Sequence, residues 1–155
     1  MDTPDPGSTP RTASETAVER RVEWYDTDAS GHQHHSAVLR WVEAAEAELL
    51  RRHGLDRLFG RTPRVRHEVN YRARLWFGET VTTRLRMVGL GRTSLTYAFE
   101  VRGREGVAAD GTLVVAHAEP DSPAATPWPQ DVRDALEGER DTRQGAPATA
   151  SGAIA

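Results

Sequence analysis

The longest helical pattern in the chain lies between Asp26 and Gly54, where hydrophobic residues recur every three or four positions. This spacing defines one face of a helix, formed by Val38, Trp41, Val42, Ala45 and Leu49. Neighbouring apolar residues widen that face, namely Ala37, Leu39, Ala44, Ala47 and Leu50. We therefore expect other parts of the chain to cover most of the helix. Ser36 or a residue just before it is the expected N-cap, and Gly54 ends the helix after basic side chains.

The hydrophobic period changes to two after the helix, which predicts β-strands. In residues 64–76 the apolar positions are Val65, Val69, Tyr71, Ala73 and Leu75. The next segments are marked by Val81, Thr83, Leu85 and Met87, by Leu95, Tyr97, Phe99 and Val101, and by a run from Val107 to Glu119. Glycine-containing turns separate them at Gly78-Glu79, Gly89–Gly91 and Gly103–Gly106. Another strand precedes the helix from about Ala17, with Val18, Val22 and Trp24 at alternating positions.

This order of elements predicts an α+β fold. Tight turns make the four later strands antiparallel, and their alternating pattern requires that one face of the sheet be covered. Only one long helix is available to cover it. The expected architecture is a curled antiparallel sheet of about five strands wrapped around one long central helix.

The two ends of the chain differ in composition from its middle. Residues 1–16 are rich in Pro, Ser and Thr, and residues 138–155 are similarly polar. Because neither has a periodic apolar pattern, we predict a disordered leader and a disordered tail. Residues 17–137 are then expected to form a single domain, with Trp128 anchoring a short helix near its end.

Composition excludes several kinds of chemistry. The chain has 155 residues and no cysteine, so disulfides and thiolate nucleophiles are excluded. None of its 20 basic residues is a lysine, which excludes Schiff-base chemistry through a lysine side chain. A net charge of -3 gives no overall basic field, so no nucleic acid partner is expected. Without a membrane-spanning run or a signal segment, we expect no membrane association and a cytoplasmic protein.

Candidate chemistry is concentrated in the loop before the helix. Residues 26–31 read D-T-D-A-S-G, and three histidines follow at His32, His34 and His35. A helix start offers unpaired N–H groups and a positive dipole end, and Asp28 can fold its carboxylate over that end. Asp28 is therefore a candidate catalytic group, unless it only caps the helix or the turn. Asp26 is expected to bond loop amides, and Gly31 to supply a conformation that other residues resist.

This region resembles the hotdog-fold acyl-CoA thioesterases of the 4-hydroxybenzoyl-CoA thioesterase-like family. The resemblance rests on a strand, the D-x-D-x-x-G element of Asp26–Gly31, a helix containing Leu39-Arg40-Trp41-Val42-Glu43, and the later segments Gly54-Leu55, Gly78-Glu79 and Gly91-Arg92-Thr93-Ser94-Leu95. It covers residues 17–119. It implies a hotdog fold and hydrolysis of an acyl thioester of CoA or of an acyl carrier protein to the free acid.

The resemblance also implies roles for individual residues. Asp28 occupies the position of the catalytic carboxylate, as general base or nucleophile, and His35 is catalytic through its backbone N–H at the oxyanion position. The residues implied to bind substrate are Gly31, His32, His34, Val38, Arg92 and Ser94. At His32-Gln33-His34 many relatives have apolar or aromatic residues. This departure favours a hydroxylated or aryl acyl group over a plain fatty chain.

Partners and alternatives follow from the same residues. No cofactor or metal is expected, although the H-x-H-H run beside two aspartates also permits zinc or iron. Two other functions stay open, a hotdog-fold hydratase or dehydratase acting on acyl thioesters and a non-catalytic acyl-binding protein. The arginines of strands 64–76 and 81–87, with Arg92, are candidates for binding the phosphates of CoA or a carrier protein. Relatives join sheets edge to edge, so a homodimer or homotetramer is expected.

Overall fold

A five-stranded antiparallel sheet forms most of the computed structural model, which describes residues 15–141. The strands are β1 (Glu15–Arg21), β2 (Arg64–Tyr71), β3 (Thr80–Leu90), β4 (Ser94–Gly103) and β5 (Gly106–Ala116). The helices are α1 (Ala37–Arg52), between β1 and β2, and α2 (Gln130–Asp141), after β5. The strand order β1-β3-β4-β5-β2 places β1 and β2 at the two edges. The predicted α+β class and antiparallel sheet of five strands are therefore confirmed.

Helix α1 has 16 residues and packs across β1 and β3. Its predicted apolar face is buried, with no more than 2% exposure at Val38, Trp41, Val42, Ala45 and Leu49. The predicted inward residues of β3 and β4 are also buried, so the core lies between α1 and the sheet. Leu39, which was expected to widen the buried face, is 40% exposed. One side of the helix is therefore not covered by residues 15–141.

Strand β2 differs most from its prediction. It ends at Tyr71 rather than continuing to Trp76, and the N–H groups of Arg72 and Ala73 both donate to the Ala108 carbonyl. Val65 and Tyr71, predicted to face the core, are 63% and 49% exposed. Strand β2 is an edge strand, so among the described residues no other strand pairs beyond it and these side chains stay exposed. The alternating pattern identified the strand but not its position in the sheet.

Both domain boundaries also differ from their predictions. Strand β1 begins at Glu15, inside the predicted leader, and α2 extends to Asp141, inside the predicted tail. Trp24 lies in a 3₁₀ turn (Trp24–Asp26) rather than on β1. The rest of the predicted leader and tail, residues 1–14 and 142–155, lies outside the described residues. Within residues 15–141, neither helix has the length and hydrophobicity that crossing a bilayer requires.

Trp128 anchors α2 against the turn between β3 and β4, as the sequence predicts. It is 4% exposed, and its indole N–H donates to the Ser94 carbonyl at 3.1 Å. Strand β3 starts beside the loop before α1, since the Val22 N–H donates to the carbonyl of Glu79, the residue before β3, at 2.8 Å. The turn between β3 and β4 follows the other end of β3 and therefore lies far from that loop. The strand of 11 residues spans about 33 Å between those ends.

Candidate active site

Asp26 closes the base of the loop between β1 and α1. Its side chain is 4% exposed, and Oδ2 accepts a hydrogen bond from the Glu23 N–H at 2.8 Å. Its carbonyl accepts another from the His34 N–H at 2.7 Å, which joins the two ends of the loop. Asp26 therefore holds the loop in place, the structural role that its sequence context predicts.

Asp28 lies at the tip of this loop with an exposed side chain. Its Oδ1 accepts hydrogen bonds from the Ser30 hydroxyl and from the Ser30 N–H, the latter at 2.8 Å. These bonds, the hydroxyl first, lower the pKa of the Asp28 carboxyl below its ordinary value. The other oxygen, Oδ2, accepts no hydrogen bond from residues 15–141. Asp28 therefore caps a turn with one oxygen and keeps the second free as part of an ionised carboxylate.

Gly31 makes the turn at Asp28 possible. Its φ of +86° is in the region that favours glycine, and its N–H donates to the Asp28 carbonyl at 3.0 Å. A Cβ at this position would make only an ordinary contact, at 3.7 Å from the Trp76 ring. The requirement for glycine here is therefore conformational, as the sequence predicts.

The start of α1 presents an unpaired backbone N–H at His35. Ser36 is the N-cap residue but makes no side-chain cap, since its hydroxyl lies 2.7 Å from His34 Nδ1. Among the described residues no acceptor is found for the His35 N–H. The His35 carbonyl accepts a hydrogen bond from the Tyr71 hydroxyl at 2.7 Å. The first turn of the helix thus offers a free donor beside its positive dipole end.

Gln33 attaches the loop to the segment between β2 and β3. It is 7% exposed, its Oε1 accepts from the Leu75 N–H at 2.7 Å, and its Nε2 donates to the Ala73 carbonyl at 3.1 Å. Next to it, the His32 ring meets the Trp76 ring edge to face, with centroids 5.7 Å apart. These contacts fix the position of Asp28 relative to the end of the sheet.

Two clefts border Asp28. One has a volume of about 390 Å³ and is lined by Asp28, His32, Gln33, His35 and Tyr71–Arg74. The other has a volume of about 440 Å³ and is lined by Trp24, Thr27, Asp28, Ala29, Gly31 and Phe77. A reactive carbonyl at Asp28 would therefore have a polar cleft on one side and an aromatic cleft on the other.

Comparison with known proteins identifies the family. The model of the thioesterase-like superfamily matches residues 22–136. The chain belongs to the thioesterase-like superfamily. This confirms the predicted relationship to the hotdog-fold thioesterases, which places the protein among hydrolases acting on thioester bonds. No curated protein sequence matches the chain.

Solved structures similar to this thioesterase-like protein agree with that assignment. A predicted thioesterase from Bacillus stearothermophilus has 28% identity and a TM-score of 0.73, over 81% of this chain and 96% of that one. A thioesterase from Thermus thermophilus, complexed with coenzyme A and Zn, has 28% identity and a TM-score of 0.70, over 77% and 95% of the two chains. A gentisyl-coenzyme A thioesterase has 25% identity and a TM-score of 0.70, over 78% and 99%.

Most of the residues expected at the site of this thioesterase-like protein lie together. Asp28 borders both clefts, His32 and His35 line the polar cleft, and Gly31 lines the aromatic cleft. The His34 ring lies beside that of His35, with centroids 4.0 Å apart. No group of three His, Asp or Glu side chains in residues 15–141 is arranged to hold a metal ion.

Three of the expected substrate-binding residues lie away from Asp28. Val38 is fully buried in the core and lines neither cleft among the described residues. Arg92 lies in the β3–β4 turn and Ser94 is the first residue of β4, both at the opposite end of the sheet. The reason is topological, because that turn and the loop before α1 are at opposite ends of β3. One chain alone does not bring these two residues to the site.

Tyr71 is a site residue that the sequence analysis assigned to the core. Its hydroxyl reaches the His35 carbonyl because β2 ends beside the start of α1. The sequence feature that could have indicated this contact is the Tyr71 hydroxyl, since a tyrosine at an apolar position usually needs a hydrogen-bond partner for that group.

Glu46 is a buried acid that the sequence analysis did not single out. It is 3% exposed on α1, one of its oxygens lies 2.6 Å from an Arg64 guanidinium nitrogen, and the other finds no partner among the described residues. Burial raises the pKa of the Glu46 carboxyl, and Arg64 opposes this only in part. The helical period predicts the burial of Glu46, because position 46 is four residues after Val42 and three before Leu49.

Proposed function

We propose that this protein hydrolyses an acyl thioester of CoA or of an acyl carrier protein to a free acid and a thiol. The observation that carries the proposal is that Asp28 and His35 line the same cleft. Asp28 has one carboxylate oxygen without a hydrogen bond from residues 15–141, and the His35 N–H has no acceptor among the same residues. A carboxylate and an oxyanion donor are the two groups that thioester hydrolysis requires of a protein.

The reaction follows from these two groups. The thioester carbonyl oxygen accepts a hydrogen bond from the His35 N–H, and the positive end of α1 stabilises the negative charge that develops on it. Asp28 takes a proton from a water molecule as the water attacks the carbonyl carbon. The tetrahedral intermediate then breaks its C–S bond, and the leaving thiolate takes up the proton. If Asp28 itself attacks, a mixed anhydride forms and water hydrolyses it, with the same residues in the same positions.

We infer that the acyl group is aryl or carries polar substituents. The polar cleft supports this, because His32, Gln33, His35 and Tyr71 line it with hydrogen-bonding groups and flat rings. His34, beside His35, contributes to the same lip of the site. A plain fatty chain would leave these polar groups without partners, which disfavours its binding.

We further propose that a second copy, paired along β2, completes the site. Strand β2 is an edge with unpaired backbone groups and exposed Val65 and Tyr71 side chains. Antiparallel pairing of β2 with itself would lay the Arg64 end of one strand against the Tyr71 end of the other. Ser94 lies at the Arg64 end, because it pairs with Ala116 while Arg64 pairs with Val115.

The proposed pairing accounts for the substrate-binding residues that one chain leaves apart. It would carry Arg92 and Ser94 of the second copy toward Asp28 of the first, where both could contact an acyl group bound in the polar cleft. It would also cover the exposed side of α1, which becomes the central helix of each wrapped sheet. We propose that the assembly is a homodimer, or a tetramer of two such dimers. We further propose that it is cytoplasmic and that neither nucleic acid nor a membrane is its partner.

A thioester panel tests the proposed reaction. Acetyl, hexanoyl, palmitoyl, benzoyl and hydroxybenzoyl groups are presented on CoA and on a holo acyl carrier protein, and released thiol and free acid are both measured. We expect release of thiol and acid in equal amounts, fastest with an aryl group. A hydratase would change the acyl group without releasing thiol, and an acyl-binding protein would do neither. No thiol release above the uncatalysed rate from any member of the panel would refute the proposal.

A further inference from the structure

The second cleft beside Asp28, which we call the aromatic cleft, has Trp24 and Phe77 as its walls. Their rings meet edge to face, with centroids 5.9 Å apart. The two side chains are 78% and 58% exposed. Single exposed aromatic residues are ordinary, but an adjacent pair that walls a cleft beside a catalytic group indicates an interaction site.

A thioester bound at Asp28 has two arms, the acyl group and the pantetheine arm that carries the thiol. Asp28 borders both clefts, so each arm has a cleft to enter. The arms differ in one requirement. The acyl group ends within the site, whereas the pantetheine arm continues into solvent, toward the CoA nucleotide or the carrier protein.

Sheet topology assigns the two arms. Trp24 follows β1 and Phe77 precedes β3, which are the first two strands at one side of the sheet. The polar cleft is bounded by Tyr71, which ends β2 on the opposite side of the sheet. In the proposed function, the second copy pairs with this chain along β2. The aromatic cleft is therefore the one that such a pairing leaves open to solvent, as the pantetheine arm requires.

The lining of the aromatic cleft suits the chemistry of that arm. Pantetheine is an uncharged, slender chain of methylene and amide groups, and aromatic rings pack well against both. Among residues 15–141, Asp28 is the one charged residue that lines the cleft, so phosphate groups find no cation there within this part of the chain. Thr27 supports the wall, because its hydroxyl donates to the Trp24 carbonyl at 2.7 Å.

We propose that Trp24 and Phe77 clamp the pantetheine arm of the thioester and so provide the binding energy that distinguishes a natural substrate from a truncated one. The inference rests on the proposed thioesterase function. It applies to CoA and to carrier proteins alike, because both present the same phosphopantetheine group.

The test compares one acyl group on three thiols, as benzoyl thioesters of N-acetylcysteamine, pantetheine and CoA, with benzoyl on a holo carrier protein as a fourth arm. The quantity measured is the ratio of kcat/KM for the pantetheine thioester to that for the N-acetylcysteamine thioester. This ratio is independent of the fraction of folded enzyme. We expect Trp24→Ala and Phe77→Ala each to lower it about three- to tenfold. Tyr25→Ala is the matched control, because Tyr25 is 68% exposed next to Trp24 but does not line the cleft.

Each outcome separates this inference from the proposed function. An unchanged ratio in both variants, or an equal fall in Tyr25→Ala, overturns the clamp while hydrolysis itself stands. Failure of the unaltered protein to hydrolyse any of the four thioesters overturns the proposed function and the clamp together. If the clamp is correct, the CoA and carrier-protein arms lose activity in parallel, and their relative rates in the unaltered protein identify the natural source of the arm.

Discussion

The Tyr71 hydroxyl donates a 2.7 Å hydrogen bond to the carbonyl of His35, two residues before α1. This bond connects the end of an edge strand to the helix start that we propose as the oxyanion site. It holds the His35 backbone at the edge of the polar cleft, which both residues line. The position of the donor therefore depends on where β2 ends.

Tyr71→Phe removes only this hydrogen bond, and we expect kcat to fall about two- to tenfold, the effect of one ordinary hydrogen bond. Steady-state kinetics on the best thioester of the panel measures the change. Tyr25→Phe is the matched control, because Tyr25 is exposed and lines neither cleft at Asp28. Equal kcat values in both variants would contradict a positioning role for the Tyr71 hydroxyl.

Asp28→Asn keeps the size of the side chain but removes its charge, so we expect kcat to fall by about 10²–10⁴, the usual contribution of a general base. His35→Ala should cost less, because the backbone N–H stays in place. Asp121→Asn, at an exposed site after β5, is the matched control for loss of one carboxylate. The catalytic group would lie elsewhere in the loop if Asp28→Asn kept near-normal turnover while folded Asp26→Asn or His34→Ala lost activity.

The acid limb of the pH–rate profile should lie below the ordinary Asp pKa of 3.8, because Ser30 lowers the pKa of Asp28. The carboxylate is fully ionised above its pKa, and activity is lost as pH falls through that value. Ser30→Ala removes the hydroxyl hydrogen bond, which raises the pKa and moves the limb to higher pH. Profiles normalised to each variant's own plateau measure the shift. A limb at the same pH in Ser30→Ala would contradict this assignment.

Glu46 should make folding stability decrease with rising pH. Its folded pKa is raised above the ordinary value of 4.5, so its contribution to stability is complete below that value and is lost as pH rises through the folded pKa. Glu46→Gln removes this loss. We expect the difference in free energy of unfolding, variant minus unaltered protein, to be larger at pH 7 than at pH 4. Denaturant unfolding at both pH values measures the difference, with the exposed Glu43→Gln on the same helix as control. An advantage of Glu46→Gln that grows toward acid pH would contradict the prediction.

Val65→Arg should separate the proposed dimer, because it places a charge on the exposed edge strand where two copies would pair. Light scattering coupled to gel filtration measures the mass, and we expect the variant to lose activity together with association. Val88→Arg is the matched control, since Val88 is 44% exposed on β3, which is not an edge strand. A monomeric unaltered protein with full activity would show that the site does not need a second copy.

The elements of the fold were predictable because their signals are local. The burial of Val38, Trp41 and Leu49 follows from a period shared by neighbouring residues, and the loop geometry at Gly31 follows from one residue's backbone preference. The turn that the Asp28 side chain caps is local in the same way, since the side-chain hydrogen bonds of Asp28 reach only as far as Ser30.

The sequence by itself determined the helix, the antiparallel strands and the loop proposed to be catalytic, because each depends on the chemistry of adjacent residues. Only the tertiary structure decided which strands became edges, and with that the exposure of Val65 and the contact between Tyr71 and His35. It also separated Ser94 from Asp28 by the length of a strand. Such relationships arise from the pairing of segments far apart in the chain, and hydrophobic periodicity, which repeats over a few residues, does not specify which segments become neighbours.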